Sequence, residues 1–288
     1  MKIGIGLPAS IPGVSGQLII DWARRAEERQ FSSLGIIDRI VYPNLEPLTT
    51  LAVAAGATER IRLMTTILVT PLRNAGILAK EAATLDHLSN GRLTLGLGVG
   101  SREDDFRVAS VPFHQRGRRF EEQLATMKHI WSGEAFDAST GPVGPPPVRP
   151  GGPEILIGGY SPAAIRRVGR WGDGIILGGS ANMELAVQFR GVAEEAWKAE
   201  GRSGKPRLVA CVYFGLGPDA AGRAGASIRH YYSFMEQRAN FIANSLPSTP
   251  EAIKQIIQNF ASIEVDEFIF WPTIPDLDQI DRLADLTP

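Results

Sequence analysis

Short apolar runs alternate with amphipathic stretches along almost the whole chain. The apolar runs predict eight strands, at Lys2–Leu7, Ser33–Ile37, Ile61–Val69, Arg92–Val99, Glu154–Gly158, Gly174–Leu177, Leu208–Leu216 and Val265–Trp271. The amphipathic stretches predict helices at Gly16–Gln30, Pro47–Ala57, Ala75–Ser89, Gln115–Ser132, Pro162–Trp171, Asn182–Gly201, Pro250–Ser262 and, in a short last one, near Leu277–Leu286. This alternation is typical of parallel strands joined by crossover helices.

Eight such units in 288 residues predict a (β/α)8 TIM barrel that forms a single domain over residues 1–288, since such barrels typically have about 250 residues. The competing architecture, an open doubly wound sheet, normally carries G-x-G-x-x-G after its first strand. The chain reads LPASIPGVSG there. We expect loop insertions at the C-terminal face of the barrel, where Asp219–Leu246 is either an elaboration over the mouth or one long helix. Asp137–Pro153 is too rich in proline and glycine to be anything but a loop.

The fourth predicted strand carries only glycines on one of its two faces. In GRLTLGLGVG the glycines alternate with Leu95, Leu97 and Val99. Because strand side chains alternate between faces, one face is apolar and packs outward on helices, while the other carries no side chain at Gly96, Gly98 and Gly100. Such a run indicates the close approach of a ligand or another backbone; a bulge or barrel corner is the alternative.

Composition narrows the classes of partner. The net charge is −1, so no global field attracts the chain to nucleic acid or to an anionic membrane. Cys211 is the only cysteine, which excludes an internal disulfide. MKIGIGLPAS predicts a first strand, since a signal peptide needs a longer apolar core. No segment approaches the roughly 18 uninterrupted apolar residues of a membrane span. We therefore expect a cytoplasmic protein.

In a (β/α)8 barrel the active site lies at the C-terminal ends of the strands. The residues placed there are rich in glycine and hydroxyl groups: Asp38, Arg39 and Tyr42 after strand two, Thr66 and Thr70 on strand three, Gly100, Ser101, Glu103 and Asp104 after strand four, Gly158, Gly159, Tyr160 and Ser161 after strand five, and Gly178, Gly179 and Ser180 after strand six.

The run Gly158-Gly-Tyr-Ser161 before Pro162 indicates either a phosphate site or a simple helix cap. Serine is favoured at the N-cap and proline in the first helical turn. Exposed N–H groups at a helix start bind phosphate, and glycines let it approach the backbone. For an isolated Ser-Pro pair capping alone is favoured, and the second glycine pair, Gly178 and Gly179, makes the two interpretations about equal.

The sequence lacks the residues that metal-dependent, nucleophilic and phosphate-loop mechanisms require. The four histidines form no H-x-x-x-H or Cys/His pair, so we expect no metal site. G-Y-S-P-A lacks the second glycine of a nucleophile elbow, and no G-x-x-x-x-G-K-[ST] loop is present. With few candidate acids or bases, the sequence favours a cofactor that performs the chemistry. A flavin suits the space beside the glycine strand.

The chain also resembles the luciferase-like flavin-dependent monooxygenases and their deazaflavin (F420) dependent relatives. The resemblance rests on KIGIGLP, AKEAATLDHLSNGRLTLGLGVG, DDF…VPFHQRGRRFEEQLATMKHIWSGE and ILIGGYSPAAIRRVGRWGDGIILGG. It implies a (β/α)8 barrel, a homodimer formed through the early helices, and a third strand that carries a bulge with a non-prolyl cis peptide at Thr65-Thr66-Ile67, behind the flavin ring.

The resemblance also implies roles for single residues. The cofactor is expected at Thr66 and Ile67, at Gly98 and Gly100, and, for its phosphate, at Gly158, Gly159, Tyr160 and Ser161 with Gly178 and Gly179 nearby. Asp38 matches an acidic position after strand two, and Asp104 a polar position near the ring or the ribityl chain. Arg39 replaces a histidine that many members use for acid–base work; an arginine can hold an anion instead, and a salt bridge with a carboxylate at the rim is the plainer alternative. We count Asp38, Arg39 and Asp104 as catalytic candidates.

The sequence and the resemblance leave three functional classes: two kinds of enzyme and one non-catalytic protein. The leading expectation is a monooxygenase that uses reduced FMN, supplied by a separate flavin reductase, and oxygen on an organic substrate. The second is an F420-dependent enzyme that transfers a hydride without oxygen; Arg166, Arg167 and Arg170 could form the basic rim that suits its anionic tail. The third is a non-catalytic flavin-binding barrel or partner subunit, which the missing histidine suggests.

Overall fold

A computed structural model describes residues 1–179 and 182–287. Eight parallel strands close into a barrel in sequence order, and each pairs with its neighbours along the chain. They are β1 (Lys2–Gly6), β2 (Ser33–Ile36), β3 (Arg62–Val69), β4 (Leu93–Gly98), β5 (Glu154–Gly158), β6 (Gly174–Leu177), β7 (Arg207–Phe214) and β8 (Glu267–Pro272). The predicted (β/α)8 barrel is thereby confirmed.

Helices connect the strands on the outside of the barrel. They are α1 (Gly16–Glu28), α2 (Pro47–Ala57), α3 (Ala75–Leu88), α4 (Glu103–Val108), α5 (Arg116–Trp131), α6 (Pro162–Ile165), α7 (Arg167–Trp171), α8 (Met183–Ala199), α9 (Ala220–Tyr231), α10 (Glu236–Ser245), α11 (Pro250–Ser262) and α12 (Asp278–Ala284), with short 3-10 turns at Pro8–Ser10, Thr70–Leu72 and Phe113–Gln115. None of them, within the described ranges, has the length and apolarity needed to cross a bilayer.

Side-chain caps fix where several helices begin. Ser15, Asn74, Asn182 and Thr249 each accept a hydrogen bond from the backbone N–H three residues later. Such a bond satisfies one of the donors that a helix start leaves unpaired. These caps place the ends of the outer helices and therefore the strands that follow.

Three segments differ from the predicted elements. The predicted helix Pro162–Trp171 is interrupted at Arg166, which separates α6 from α7. The segment Asp219–Leu246 forms two helices, α9 and α10, so the elaboration is observed rather than one long helix. The short helix α4 was not predicted, because it has only six residues and an apolar periodicity cannot develop over so short a stretch.

The apolar core has two parts. The larger part lies between the barrel and the outer helices and includes Leu95 and Leu97, which confirms that this face of β4 packs outward. The smaller part fills the barrel interior with Met64, Leu156, Val209 and other side chains, and residues of α9 and α10 pack on it. These two helices therefore cover the interior at the C-terminal end of the strands.

Charged side chains close the opposite end. Glu154 accepts hydrogen bonds from Arg207 Nη1 at 2.6 Å and Arg62 Nη2 at 3.1 Å, and Arg207 also pairs with the fully buried Glu267. All four residues begin a strand, so this ion-pair network seals the N-terminal end of the barrel. The loop over residues 137–153, which precedes β5, lies at this end as well, and the C-terminal end is left for a ligand.

Candidate functional site

A cavity of about 410 Å³ opens at the C-terminal end of the barrel. Its size falls within the range of about 300–1,000 Å³ that is common for ligand sites. The ends of β2 to β8 contribute to its wall. Tyr231 at the end of α9, and Tyr232 and Phe234 just after it, form part of its rim. All of the residues predicted to be catalytic or to bind the cofactor line it, except Asp104 and Gly178. Three residues that were also placed at the strand ends are not part of the lining, namely Tyr42, Thr70 and Glu103.

The third strand forms the floor of this cavity. The peptide bond between Thr66 and Ile67 is cis, and the pairing of β3 with β4 shifts register between Thr65 and Leu68. The bulge expected from the resemblance is thus present. The Thr66 hydroxyl donates to the Ile36 carbonyl at 3.0 Å and accepts from Trp271 Nε1 at 3.0 Å, so the neighbouring strand β2 and the more distant strand β8 both hold Thr66.

The glycines of β4 make room for this bulge. A Cβ placed on Gly96 would lie 2.1 Å from the Thr65 carbonyl oxygen, and one on Gly98 would lie 2.6 Å from Cδ1 of Ile67. The expected close approach of a ligand or another backbone is thus met at Gly96 by the backbone of β3, while the Ile67 side chain fills most of the space at Gly98. Gly98 and Gly100 still line the cavity.

Asp38 is buried and fully engaged. Its carboxylate accepts from Val69 N at 2.8 Å and from Arg73 Nη1 at 2.6 Å and Nη2 at 3.2 Å. Burial raises the pKa of Asp38 above its ordinary value, while the Arg73 guanidinium and the Val69 amide oppose that rise. Arg73, which the sequence reasoning missed, ties the end of β2 to the end of β3 through this carboxylate.

Arg39 is held by carbonyl groups and aromatic rings. Its Nη1 donates to the Tyr231 carbonyl at 2.7 Å and its Nη2 to the Val41 carbonyl at 2.9 Å. Its guanidinium carbon lies 4.6 Å from the ring centroid of Tyr42 and 5.2 Å from that of Phe234. Among the side chains that the structure describes, no carboxylate pairs with Arg39, so the salt bridge considered for it is not observed there. The residue fastens the segment after α9 to the rim.

Asp104 does not line the cavity, and its neighbour Asp105 does. Asp104 pairs with the Arg102 guanidinium. Asp105 is buried, and its Oδ1 accepts from Ile40 N at 3.0 Å and Val41 N at 2.7 Å. Successive residues of a helix point about 100° apart, so the register of α4 decides which aspartate faces the cavity. Here that residue is Asp105, which fixes the loop after β2.

The predicted phosphate loop lies along one wall. Gly158, Gly159, Tyr160 and Ser161 all line the cavity, and so does Gly179. The Ser161 hydroxyl accepts from Ala164 N at 3.3 Å, which is the capping bond. Because α6 has only four residues, its dipole adds little to anion binding, and the support for a phosphate comes from the glycine backbone. Gly178 accepts a hydrogen bond from the Tyr160 hydroxyl; Ser180 lies outside the described residues.

Two tyrosines complete the cavity. Tyr213 on β7 and Tyr232 after α9 both line it, and their hydroxyl oxygens are 3.0 Å apart. Tyr213 was not predicted, although the alternation within LVACVYF places it on the same face as Val209 and Cys211, which fill the interior. No histidine appears in the cavity lining as described, and the described part of the chain holds no cluster of metal ligands.

Comparisons with known proteins give a family and a fold. The family model for luciferase-like monooxygenases matches residues 1–259. An uncharacterised protein of Mycobacterium tuberculosis (strain ATCC 25618 / H37Rv) is 29% identical over an alignment of 211 residues, which covers 62% of this chain and 72% of that protein.

Solved structures share the barrel at low sequence identity. An F420-dependent secondary alcohol dehydrogenase in complex with an F420–acetone adduct superposes with a TM-score of 0.80 at 18% identity, over 100% of this chain and 98% of the other. The oxygenating constituent of 3,6-diketocamphane monooxygenase from Pseudomonas putida, in complex with FMN, gives 0.76 at 17% identity, over 99% and 96%. At such identities these structures support the fold alone.

Proposed function

Because this chain belongs to the luciferase-like monooxygenase family, we propose that this oxidoreductase uses reduced FMN and oxygen to oxygenate a small organic molecule in the cavity at the barrel mouth. The observation that carries the proposal is the cavity wall. It consists of glycine backbone and of apolar and aromatic side chains, and its acids Asp38 and Asp105 are already engaged. A site of that kind positions a cofactor that brings the chemistry.

The lining fits a flavin. We place a flat ring against Thr66 and Ile67, next to Gly98 and Gly100, which add no side chains of their own to the wall. We place the phosphate at Gly158, Gly159, Tyr160 and Ser161, near Gly179, with Gly178 supporting Tyr160. Bound reduced FMN would supply the electrons that activate oxygen.

The three catalytic candidates take supporting parts in this proposal. Asp38 fixes the backbone of Val69 and the Arg73 side chain, and thereby the floor. Arg39 places a permanent positive charge at the rim, where it favours an anionic group of cofactor or substrate. Asp104 holds Arg102, which lines the cavity.

The alternative is an F420-dependent enzyme that transfers a hydride without oxygen. The shared barrel fold with the alcohol dehydrogenase supports it. The basic rim supports it less than the sequence suggested, because Arg167 pairs with Glu121 at 2.9 Å and Arg170 lies over the Trp171 ring at 4.6 Å.

The proposal also covers the partner protein, the cellular location and the oligomeric state. A monooxygenase of this kind takes reduced FMN from a separate flavin reductase in the cytoplasm. We also propose that residues 1–288 act as one domain and that two copies associate through α2 and α3. An apolar groove lies between these helices, and Ile77 is 58% and Leu88 66% exposed beside it.

Titration of the purified protein tests the cofactor. We expect micromolar binding of FMN or of F420, followed by absorbance and fluorescence, and oxygen-dependent turnover of reduced FMN if the leading proposal holds. Preference for F420 would select the alternative. Flavin binding with no oxidation of any reduced cofactor would indicate a non-catalytic barrel, and binding of neither cofactor would overturn both enzyme proposals.

A charge at the phosphate position sharpens this test. Aspartate is as good an N-cap as serine, so Ser161→Asp keeps the cap of α6 and adds a negative charge. We expect FMN affinity to fall at least about tenfold through like-charge repulsion, while riboflavin, which has no phosphate, binds as before. Thr249→Asp makes the same change at the distant cap of α11 and should alter neither. Equal losses for FMN and riboflavin would contradict the placement.

A further inference from the structure

The hydrogen-bonded pair Tyr213–Tyr232 has a place in the cavity that the cofactor proposal does not use. Tyr213 is only 4% exposed, and its ring lies 4.9 Å from that of Trp271. β7 and β8 therefore hold it rigidly. Tyr232 follows α9 and packs edge-on against Tyr231, with ring centroids 4.9 Å apart. The pair joins the barrel wall to the segment that covers the mouth.

The number of hydroxyl protons in the pair determines how many hydrogen bonds it can donate to a ligand. Each phenol hydroxyl carries one proton. One of the two protons lies in the hydrogen bond between the oxygens. The other O–H lies at the cavity, where it can donate to an oxygen or nitrogen atom of a ligand.

Exposure distinguishes the two hydroxyls. Burial raises the pKa of both, so both stay protonated at neutral pH. Tyr213 is only 4% exposed, whereas Tyr232 is partly exposed at the cavity. The more accessible Tyr232 is therefore the residue that offers its proton to a ligand, and it accepts from Tyr213.

Several other polar groups of the lining are already engaged, whereas Nε of Arg39 and Nε and Nη1 of Arg102 have no hydrogen-bond partner among the described atoms. Asp38 and Asp105 accept from Arg73 and from backbone amides, the Tyr160 hydroxyl donates to Gly178, and the Thr66 hydroxyl donates to Ile36. No histidine competes for the role in the described lining. A neutral hydroxyl that is held in position can stabilise negative charge that develops on a carbonyl oxygen.

We propose that Tyr232, positioned by Tyr213, donates a hydrogen bond to an oxygen atom of the organic substrate, and that the substrate class is therefore ketones, enols and related oxygenated molecules. The inference rests on the proposed function only in treating this ligand as the substrate. Under either cofactor, the hydroxyl polarises the substrate oxygen beside the reacting carbon.

Infrared difference spectroscopy of a bound ketone tests the donor. The probe is acetophenone labelled with ¹³C at its carbonyl, and its matched partner is α-methylstyrene, in which CH₂ replaces the oxygen. We expect the carbonyl stretch to move to lower wavenumber on binding and acetophenone to bind about five- to tenfold more tightly than α-methylstyrene, as one hydrogen bond of roughly 1 kcal/mol implies. This comparison requires no variant.

Phenylalanine variants assign the shift to one hydroxyl. Tyr232→Phe should abolish both the shift and the preference, and Tyr213→Phe should leave a smaller shift, because the donor remains but is no longer held. Tyr42→Phe removes a hydroxyl that binds His230 outside the cavity lining and should change nothing. Loss of the shift in Tyr231→Phe instead of Tyr232→Phe would overturn the assignment.

Cofactor titration of the same preparations separates this inference from the proposed function. Tyr232→Phe should bind FMN or F420 as the wild type does. A loss of cofactor affinity in that variant would show that the hydroxyl serves the cofactor and would overturn the proposal. Cofactor binding together with no ketone preference in the wild type would overturn this inference alone, whereas absence of cofactor binding would overturn the proposed function.

Discussion

At the scale of single residues, the cavity is shaped by polar side chains that bind protein groups. Asp38, Asp105 and Arg39 each fasten one loop to another, and each does so through backbone atoms. Residue type and position predicted that Asp38 and Arg39 lie at the cavity. Their partners could not be predicted, because Val69, Arg73 and Tyr231 come from other strands and loops whose approach depends on the closed barrel.

The Asp38–Arg73 pair provides a test at this scale. Asp38→Asn leaves the Arg73 guanidinium largely buried without its main carboxylate, and removal of one partner of a buried pair costs about 3–5 kcal/mol. We expect a loss near the lower end, about 3 kcal/mol, because Glu46 still accepts from Arg73 at 3.1 Å. The free energy of unfolding is measured by urea titration with tryptophan fluorescence.

Two further variants control for this loss. Asp104→Asn breaks the pair with Arg102 at a side chain that is about one-third exposed, and should cost no more than about 1 kcal/mol. The double variant Asp38→Asn/Arg73→Met should lose less than the two single changes together, since it leaves no uncompensated charge. A cost for Asp38→Asn as small as that for Asp104→Asn would show that the buried pair does not stabilise the cavity floor.

At the scale of elements, the order and type of the strands followed from the sequence because parallel barrel strands are short, apolar and separated by amphipathic helices. What faces the cavity did not follow as directly. A strand buried on both faces is apolar on both faces, so alternation in LVACVYF pairs Tyr213 with Cys211 without telling which face is inside. The glycines of β4 indicated that another group packs closely against that strand. In the barrel this group is mainly β3, through Thr65 and Ile67.

The two central glycines of β4 therefore differ in what a methyl group would meet. In Gly96→Ala the new Cβ would meet the Thr65 carbonyl, a backbone atom that cannot move without distorting the bulge; overpacking of this kind costs about 3 kcal/mol or more. In Gly98→Ala it would meet the end of the Ile67 side chain, which can rotate, and we expect about 1 kcal/mol.

Each glycine variant serves as the control for the other, since the chemical change and the strand are the same. Unfolding free energies report the cost, and FMN titration reports the cavity. Gly98→Ala should weaken cofactor binding more than it weakens the fold, because it pushes Ile67 toward the ligand. Equal destabilisation by the two variants would mean that the bulge yields as easily as a side chain.

At the scale of the whole molecule, the two ends of the barrel and its flank have different surfaces. Ion pairs seal one end, the cavity opens at the other, and the groove along α2 and α3 is apolar. Arg73 lines this groove and also pairs with Asp38 in the cavity. A second copy seated on the groove would thus bury a residue that holds the cavity floor, so association and cofactor binding would stabilise one another.

The proposed association is tested by placing charge in the groove. Large apolar side chains exposed on one helix, as Ile77 and Leu88 are on α3, suit a protein–protein contact, so we expect the wild type to sediment at twice the mass of the chain in analytical ultracentrifugation. Ile77→Lys/Leu88→Lys should convert it to the monomer, because two ammonium groups per copy would have to be buried without partners. Val187→Lys, at a half-exposed position on α8, is the matched control and should leave the dimer intact. A monomeric wild type, or equal dissociation by Val187→Lys, would contradict the proposed interface; a dimer that survives the double substitution would place it on another face of the barrel.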